Sequence, residues 1–327
     1  MNFPAASSGV SIGNHFNRPK GRGIKPLSAR GGLIRLWRIE KNQSPAPGVD
    51  RIFKIFNNGL QNRARSAAKI MEDIQNHKDY RNIDIDQVGV KGIRYPITVL
   101  DKDLGEQQTV AKINMYVNLP RYYKGTHMSR FVEILNEHSH RVSLQNFSEI
   151  LEEMKLRLNA QSAHMEITFP YFINKTAPVS GSQGLMEYKC TFKGSLNERT
   201  DLVVAIQVPV STLCPCSKEI SDFGAHNQRG EVRVQLRFKK FVWIEDIIKL
   251  VEASASSDVY SVLKREDEKY VTERAYNNPM FVEDIVRDIA MKLNKDRNIT
   301  WFSVEAENFE SIHNHNAYAY IEKHKNS

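Results

Sequence analysis

From about residue 92 the chain runs through one order of patterns twice, and that repeated order constrains its fold more than any single motif. The segments "IRYPITVLD" (93–101) and "TVAKINMYVNLP" (109–120) are rich in β-branched and aromatic residues, with the polar turn "KDLGEQQ" between them. "HMSRFVEILNEH" (127–138) and "SLQNFSEILEEMKLRLN" (143–159) then carry apolar residues at helical i, i+3, i+4 spacing. Ser143, with Ser148 and Glu149 close behind, suits a helix start. Strand patterns return at "HMEITFPYFIN" (164–174) and "LMEYKCTFKGSLN" (185–197).

The second pass opens with strands "DLVVAIQVPVSTL" (201–213) and "EVRVQLRFKK" (231–240). Helices follow at "WIEDIIKLVEASAS" (243–256) and "FVEDIVRDIAMKLNKD" (281–296), with "REDEKYVTERAYNNP" inserted between them. Strands "ITWFSVEAENF" (299–309) and "AYAYIEK" (317–323) close it. The body therefore reads as ββ-αα-ββ twice, at residues 71–198 and 199–327, without clear self-similarity of sequence. This predicts an α+β protein whose antiparallel sheets carry a helix pair on one face. The other face is expected to find cover by closing with neighbouring sheets into a barrel.

Charge is unevenly placed. Residues 1–70 hold 13 Lys and Arg against 2 Asp and Glu, net +11; the rest hold 33 against 36, net −3, which together return the +8 of the chain. A groove that tracks a phosphate backbone needs positive charge on the folded body, so nucleic acid is not an expected partner. The basic stretch is rich in Gly, Ser, Pro and Asn, with weak periodicity, and is expected to be disordered. It reads as an extension translated from upstream of a start at Met71, or else as a targeting or basic interaction arm. No run approaches the ~18 apolar residues of a membrane-spanning helix, and no membrane partner is expected. Three cysteines are too few for a disulfide framework, which favours a reducing compartment, the cytoplasm.

Two of those three cysteines stand in one loop, "STLCPCSKEISDFGAHNQRG" (211–230), with Cys214 and Cys216 one residue apart and His226 ten further on. Pro215 fixes the backbone between the thiols, and Gly224 permits a tight bend. Thiolate and imidazole are good ligands for Zn²⁺ or a similar divalent ion. From the loop alone, a metal site, a catalytic thiol and a structural polar loop all remain open. "ENFESIHNHNAYAY" puts His313 and His315 two apart, on one side if the backbone is extended. The inserted segment adds Glu266, Asp267, Glu268 and Glu273, which would otherwise read as a solvated helix face. His, Cys and carboxylate together leave room for a bound water, the pattern of a catalytic rather than a closed structural site.

These loops, with "YYKGTHMSRF" and "EDEKYVTERAYNNPMFVEDIVRDIA", resemble the type IB GTP cyclohydrolases of the tunnelling-fold (T-fold) superfamily over about residues 81–325. The resemblance implies a T-fold duplicated within one chain and assembled into a homotetramer, with sites between subunits. It implies one divalent ion per site, Zn²⁺ by thiolate preference although Mn²⁺ or Fe²⁺ are admitted. Its ligands would be Cys214, His226 and Glu268, with His313 as fourth ligand or near-ligand and His315 and Glu310 beside it. Glu283 matches the glutamate that anchors the purine or pterin ring. The implied reaction turns GTP and water into 7,8-dihydroneopterin triphosphate and formate, the entry to tetrahydrofolate. Cys214, His315 and His313 would then be catalytic, His315 protonating N7 with His313 as its substitute. Candidate triphosphate partners are Lys124, His127, Arg130, Lys218 and Arg229. Cys216 could be a ligand, a neighbour of the ligands or a bystander, and Cys190 reads as packing.

Two rival readings predict different behaviour. A T-fold enzyme that reduces a nitrile through a nucleophilic cysteine needs a reactive low-pKa thiol and NADPH. A structural zinc protein needs four closed ligands and unfolds when stripped.

Overall fold

A computed structural model describes residues 73–138, 144 and 146–325. Among them one antiparallel sheet runs β1 (Ile85–Asp101), β2 (Gly105–Leu119), β3 (Ala163–Thr176), β4 (Gln183–Leu196), β5 (Thr200–Leu213), β6 (Asn227–Phe238), β8 (Ile299–Asn308) and β9 (Ala317–His324) in spatial order. The two-residue β7 (Ser257–Asp258) pairs with β5. Helices α1 (Met128–Glu137) and α2 (Phe147–Arg157) join β2 to β3. The second half adds α3 (Pro215–Ile220) between β5 and β6, then α4 (Ile244–Glu252), α5 (Arg265–Asn277) and α6 (Val282–Lys295) before β8. The fold is thus sheet-rich α+β. The expectation for residues 1–70 lies outside the described residues, as does Ser143.

Burial explains the layering. Period-two alternation puts Ile113, Met115 and Val117 of β2, Ile167 and Phe169 of β3, Val232 and Val234 of β6, and Phe302 and Val304 of β8 into the core. Helix-period residues meet them: Phe131, Ile134 and Leu135 from α1, Ile150, Leu151 and Met154 from α2, and Ile285 and Ile289 from α6. The opposite face is polar, carrying Lys112, Asn114, Glu166, Thr168, Lys189, Gln207, Glu231, Arg233 and Glu305 around a shallow hollow. Among the described residues the main sheet path ends at β1 and β9, each of which pairs with a strand on one side only.

Several boundaries depart from the patterns. β1 begins at Ile85, eight residues before its alternating run, because its partly exposed first part is held by backbone pairing to β2 through two register shifts. The turn after β1 is only residues 102–104; β2 starts at Gly105, four residues before its β-branched run. The inserted "REDEKYVTERAYN" is a helix, and the Cys loop contains one.

Polar bonds bind the two halves in the interior. The Tyr171 hydroxyl donates to Glu245 Oε1 at 2.6 Å and to Asp101 Oδ2 at 3.2 Å, and the Tyr188 hydroxyl donates to Glu252 Oε1 at 2.8 Å. Lys175 Nζ lies 2.7 Å from Glu252 Oε1 and 3.3 Å from Asp258 Oδ2. Tyrosines and lysine come from β3 and β4, and Glu245, Glu252 and Asp258 from α4 and β7. Burial raises the Glu252 carboxyl above its usual pKa, and Lys175 opposes that.

Candidate active site

The β5–β6 ladder pairs Leu213 with Asn227, and its next rung is Cys214, whose N–H donates to the His226 carbonyl at 3.1 Å. The two side chains best suited to a soft divalent ion are therefore cross-strand neighbours, although eleven residues separate Cys214 from His226 in the chain. Between them the chain makes a short excursion. Pro215 at the first helical position starts α3, and Gly224, at φ 125°, turns it back. Ser217 ties the excursion at its base: its hydroxyl donates to the Cys214 carbonyl at 3.3 Å and accepts the His226 N–H at 3.2 Å.

The imidazole is oriented from below. Gln228 Nε2 donates to the fully buried Thr212 hydroxyl at 3.0 Å, which turns Gln228 Oε1 toward His226 Nδ1 at 2.9 Å. That assignment places the proton on Nδ1 and leaves the Nε2 lone pair free to coordinate. Glu310 Oε2 lies 3.9 Å from the same Nδ1, and the Ser311 hydroxyl 3.3 Å. The loop carrying them is anchored by the Phe309 N–H on the Arg229 carbonyl at 2.9 Å. His313 and His315 lie in that loop, exposed, with rings stacked 5.1 Å apart at 20°. The rings share a side although the backbone bends over 311–315, so strand spacing is not what aligns them.

Helix α5 is joined to the Cys loop at its far end. Lys218 Nζ donates to the Tyr276 carbonyl at 2.5 Å and stands 4.4 Å over the Tyr276 ring. Just beyond the helix, the Met280 N–H donates to the Leu213 carbonyl at 3.1 Å. Glu268 sits in the exposed first turn of α5, and Glu283 in the exposed first turn of α6.

The structure brings together Cys214, His226 and Glu310. It does not gather the full ligand set: among the described residues of one chain no three His, Cys, Asp or Glu side chains are arranged to hold a metal. A divalent ion fits the chemistry of the Cys214–His226 pair, while Glu268 and His313 do not complete it. Of the cations, Arg229 is exposed beside the site and Lys218 is engaged by Tyr276. The others belong to the first half and hold neighbours there. Lys124 is placed there by its backbone N–H, which donates to the His77 carbonyl at 3.0 Å, while the side chains of the other two are engaged: His127 Nε2 is 3.2 Å from Asp73 Oδ2, and Arg130 Nη1 donates to the Arg157 carbonyl at 2.9 Å. Cys216 is exposed; Cys190 is fully buried, and burial pushes its thiol above the usual range, as packing requires. Sequence reasoning missed Gln228, Thr212 and Ser217, which look like ordinary polar residues of a strand and a loop.

Fold and site together define an α+β chain with a cysteine and a histidine on facing positions where two central strands end. A model of the family described as type I GTP cyclohydrolase folE2 matches residues 71–319. The chain is 64% identical over 254 residues to the GTP cyclohydrolase FolE2 of Syntrophus aciditrophicus, covering 77% of this chain and 100% of that one. It is 63% identical over 257 residues to the GTP cyclohydrolase FolE2 of Syntrophobacter fumaroxidans, covering 78% and 100%. A solved uricase from Bacillus fastidious superposes with a TM-score of 0.46 at 7% identity, over 73% of this chain and 93% of that one. The chain belongs to the type I GTP cyclohydrolase folE2 family.

Proposed function

We propose that the Cys214–His226 junction is where this chain, a GTP cyclohydrolase I of folate biosynthesis, opens the guanine ring of GTP. The reading rests on one observation: Cys214 and His226 are fixed as cross-strand neighbours, with Gln228 Oε1 2.9 Å from the imidazole Nδ1. Cys214 and His226 would hold a divalent ion, Zn²⁺ by thiolate preference, with Glu268 and His313 added from elsewhere in the assembly or by rearrangement. Bound there, the ion would supply the charge that makes a water nucleophilic toward C8 near neutral pH. Glu283 would accept the guanine N1–H and N2–H together, which orients the ring. His315, or His313 stacked on it, would donate a proton to N7 as water adds at C8; the C8–N9 bond would then break with a proton passing to N9, and a second water would release formate by cleaving N7–C8. Arg229 beside the site, and Lys218, Lys124, His127 and Arg130 further out, would balance the triphosphate.

The same proposal extends to assembly. The chain would be two tandem T-fold units, 71–198 and 199–327, whose sheets close into barrels in a homotetramer with sites between subunits. Two one-sided sheet edges support that closure. The incomplete ligand group of one chain supports sharing between subunits. A cytoplasmic setting suits three free cysteines; among the described residues no helix is long and apolar enough to cross a membrane.

Purified protein incubated with GTP should release formate and a fluorescent pterin, and a chelator should abolish both until metal is restored. Turnover that is indifferent to chelation would end the metal reading while leaving the family assignment intact.

A further inference from the structure

Helix α5 carries Glu268 in its first turn, and the residue before Glu268 is the most enclosed carboxylate of that segment. Asp267 is 0% exposed in a stretch whose neighbours Glu266, Glu268 and Lys269 are all exposed. Its partners are not on its own helix alone. Oδ1 accepts the N–H groups of Val179 and Ser180, each at 2.8 Å, and Oδ2 accepts the Ser180 hydroxyl at 2.6 Å and the Lys264 N–H at 2.9 Å. Val179 and Ser180 form the tip of the β3–β4 hairpin, in the other half of the chain, 88 and 87 residues away.

That hairpin is itself shaped to present its donors. Ser180 Oγ reaches Ser182 Oγ at 3.0 Å and accepts the Ser182 N–H at 3.2 Å, and the Ala177 N–H donates to the Ser182 carbonyl at 2.8 Å. Just below, a Cβ on Gly184 would come within 2.4 Å of Ser261 Oγ and 2.7 Å of Val262, so β4 touches the segment that leads into α5. The far end of α5 is held by different groups: Lys218 on Tyr276, and Arg274 Nη2 at 3.3 Å from Asp258. The helix is thus gripped at its C-terminal end by the Cys loop and β7, and at its N-terminal end by a hairpin that contributes no candidate ligand. Those four bonds oppose a shift of the first turn along or about the helix axis, and so set the backbone from which the Glu268 side chain reaches out.

We propose that Asp267 is a positioning residue for Glu268, and that the β3–β4 hairpin tip sets, through it, where α5 presents that carboxylate to the active site. This rests on Glu268 having the role given above. The neighbours of a ligand commonly matter by 10–100-fold in metal affinity or activity when removed.

Asp267→Asn keeps size but turns one acceptor into a donor facing the Lys264 N–H and the Ser180 hydroxyl. In the full-length enzyme, assayed well below each variant's Tm, it should lower kcat roughly 10–100-fold with KM for GTP within about twofold. It should also weaken Zn²⁺ retention against a chelator by a similar factor. Ser180→Ala removes one of four bonds and should lower kcat a few-fold, so it decides the matter if Asp267→Asn does not fold. Glu268→Gln runs in parallel. Wild-type kcat and Zn²⁺ retention in a folded Asp267→Asn, or in Ser180→Ala when the first variant is unfolded, overturn the proposal if Glu268→Gln is inactive. A rise in KM alone does the same, since it would mean substrate binding rather than ligand placement. If Glu268→Gln turns over normally, the role of Glu268 falls and the proposal with it.

Discussion

The two halves of the sheet are built to the same order, yet their hairpin connections differ in length and in chemistry. In the first half β1 passes to β2 through three residues, 102–104, and β3 to β4 through six, 177–182. In the second half β5 passes to β6 through residues 214–226, with Cys214, Cys216 and His226, and β8 to β9 through residues 309–316, with Glu310, His313 and His315. The strand pairing places these connections at one end of the sheet. A scaffold can thus be tight in one half and elaborated in the other without changing how its strands pair. The lengthened connections carry the candidate site residues, and the short ones carry few of them.

The sharpest way to break this comparison is to remove a thiol from each half. Cys214→Ala should lower kcat by about 10³-fold or more, equivalent to about 4 kcal/mol of lost transition-state stabilisation. Cys190→Ala should leave the kinetics of folded protein unchanged. If the two variants behave alike in turnover, the second half has no special claim to the site.

A smaller effect tests how the halves are tied. Lys175→Met leaves Glu252 buried with only the Tyr188 hydroxyl and should cost about 3 kcal/mol in urea unfolding at neutral pH. Burial already raises the Glu252 carboxyl, so without Lys175 the native state binds its proton at higher pH than the unfolded chain does. Stability of the variant should therefore recover as pH falls through the folded pKa toward about 4.5. Adding Glu252→Gln should recover most of it at neutral pH.

Gln228→Ala should lower kcat or metal retention 10–100-fold by releasing the imidazole from its fixed orientation, and cost about 1–3 kcal/mol of stability by unpairing the buried Thr212 hydroxyl. At the small end, Ile150→Val in α2 should cost about 1 kcal/mol of stability and no turnover below Tm.

Much of the fold was legible because single-faced burial imprints a period. Phe131, Ile134 and Leu135 announce α1, and Ile113, Met115 and Val117 announce β2, since each has one side in the core. The opening of β1, "IDQVGVKG", buries only Val88 and Val90, and those partly, and is held by backbone pairing with two register shifts, so its side chains signal a strand only weakly. The site was legible in part for a chemical reason: cysteines are few here, and two of three stand beside a histidine. Gln228 was not, because a buried glutamine between strand residues looks like alternation. Asp267 was not, because "REDEK" looks like a solvated face, and only a hairpin 87 residues away makes one of its carboxylates different.

The rung that joins Cys214 to His226 has a further consequence. The separation of the two side chains is inherited from the spacing of adjacent antiparallel strands, about 4.5–5.5 Å between facing Cα atoms, and not from the length of chain between them. The protruding stretch that carries Ile220 and Phe223 could therefore gain or lose residues in evolution or by engineering, provided the Ser217 knot at its root is kept, without altering the bite of the pair.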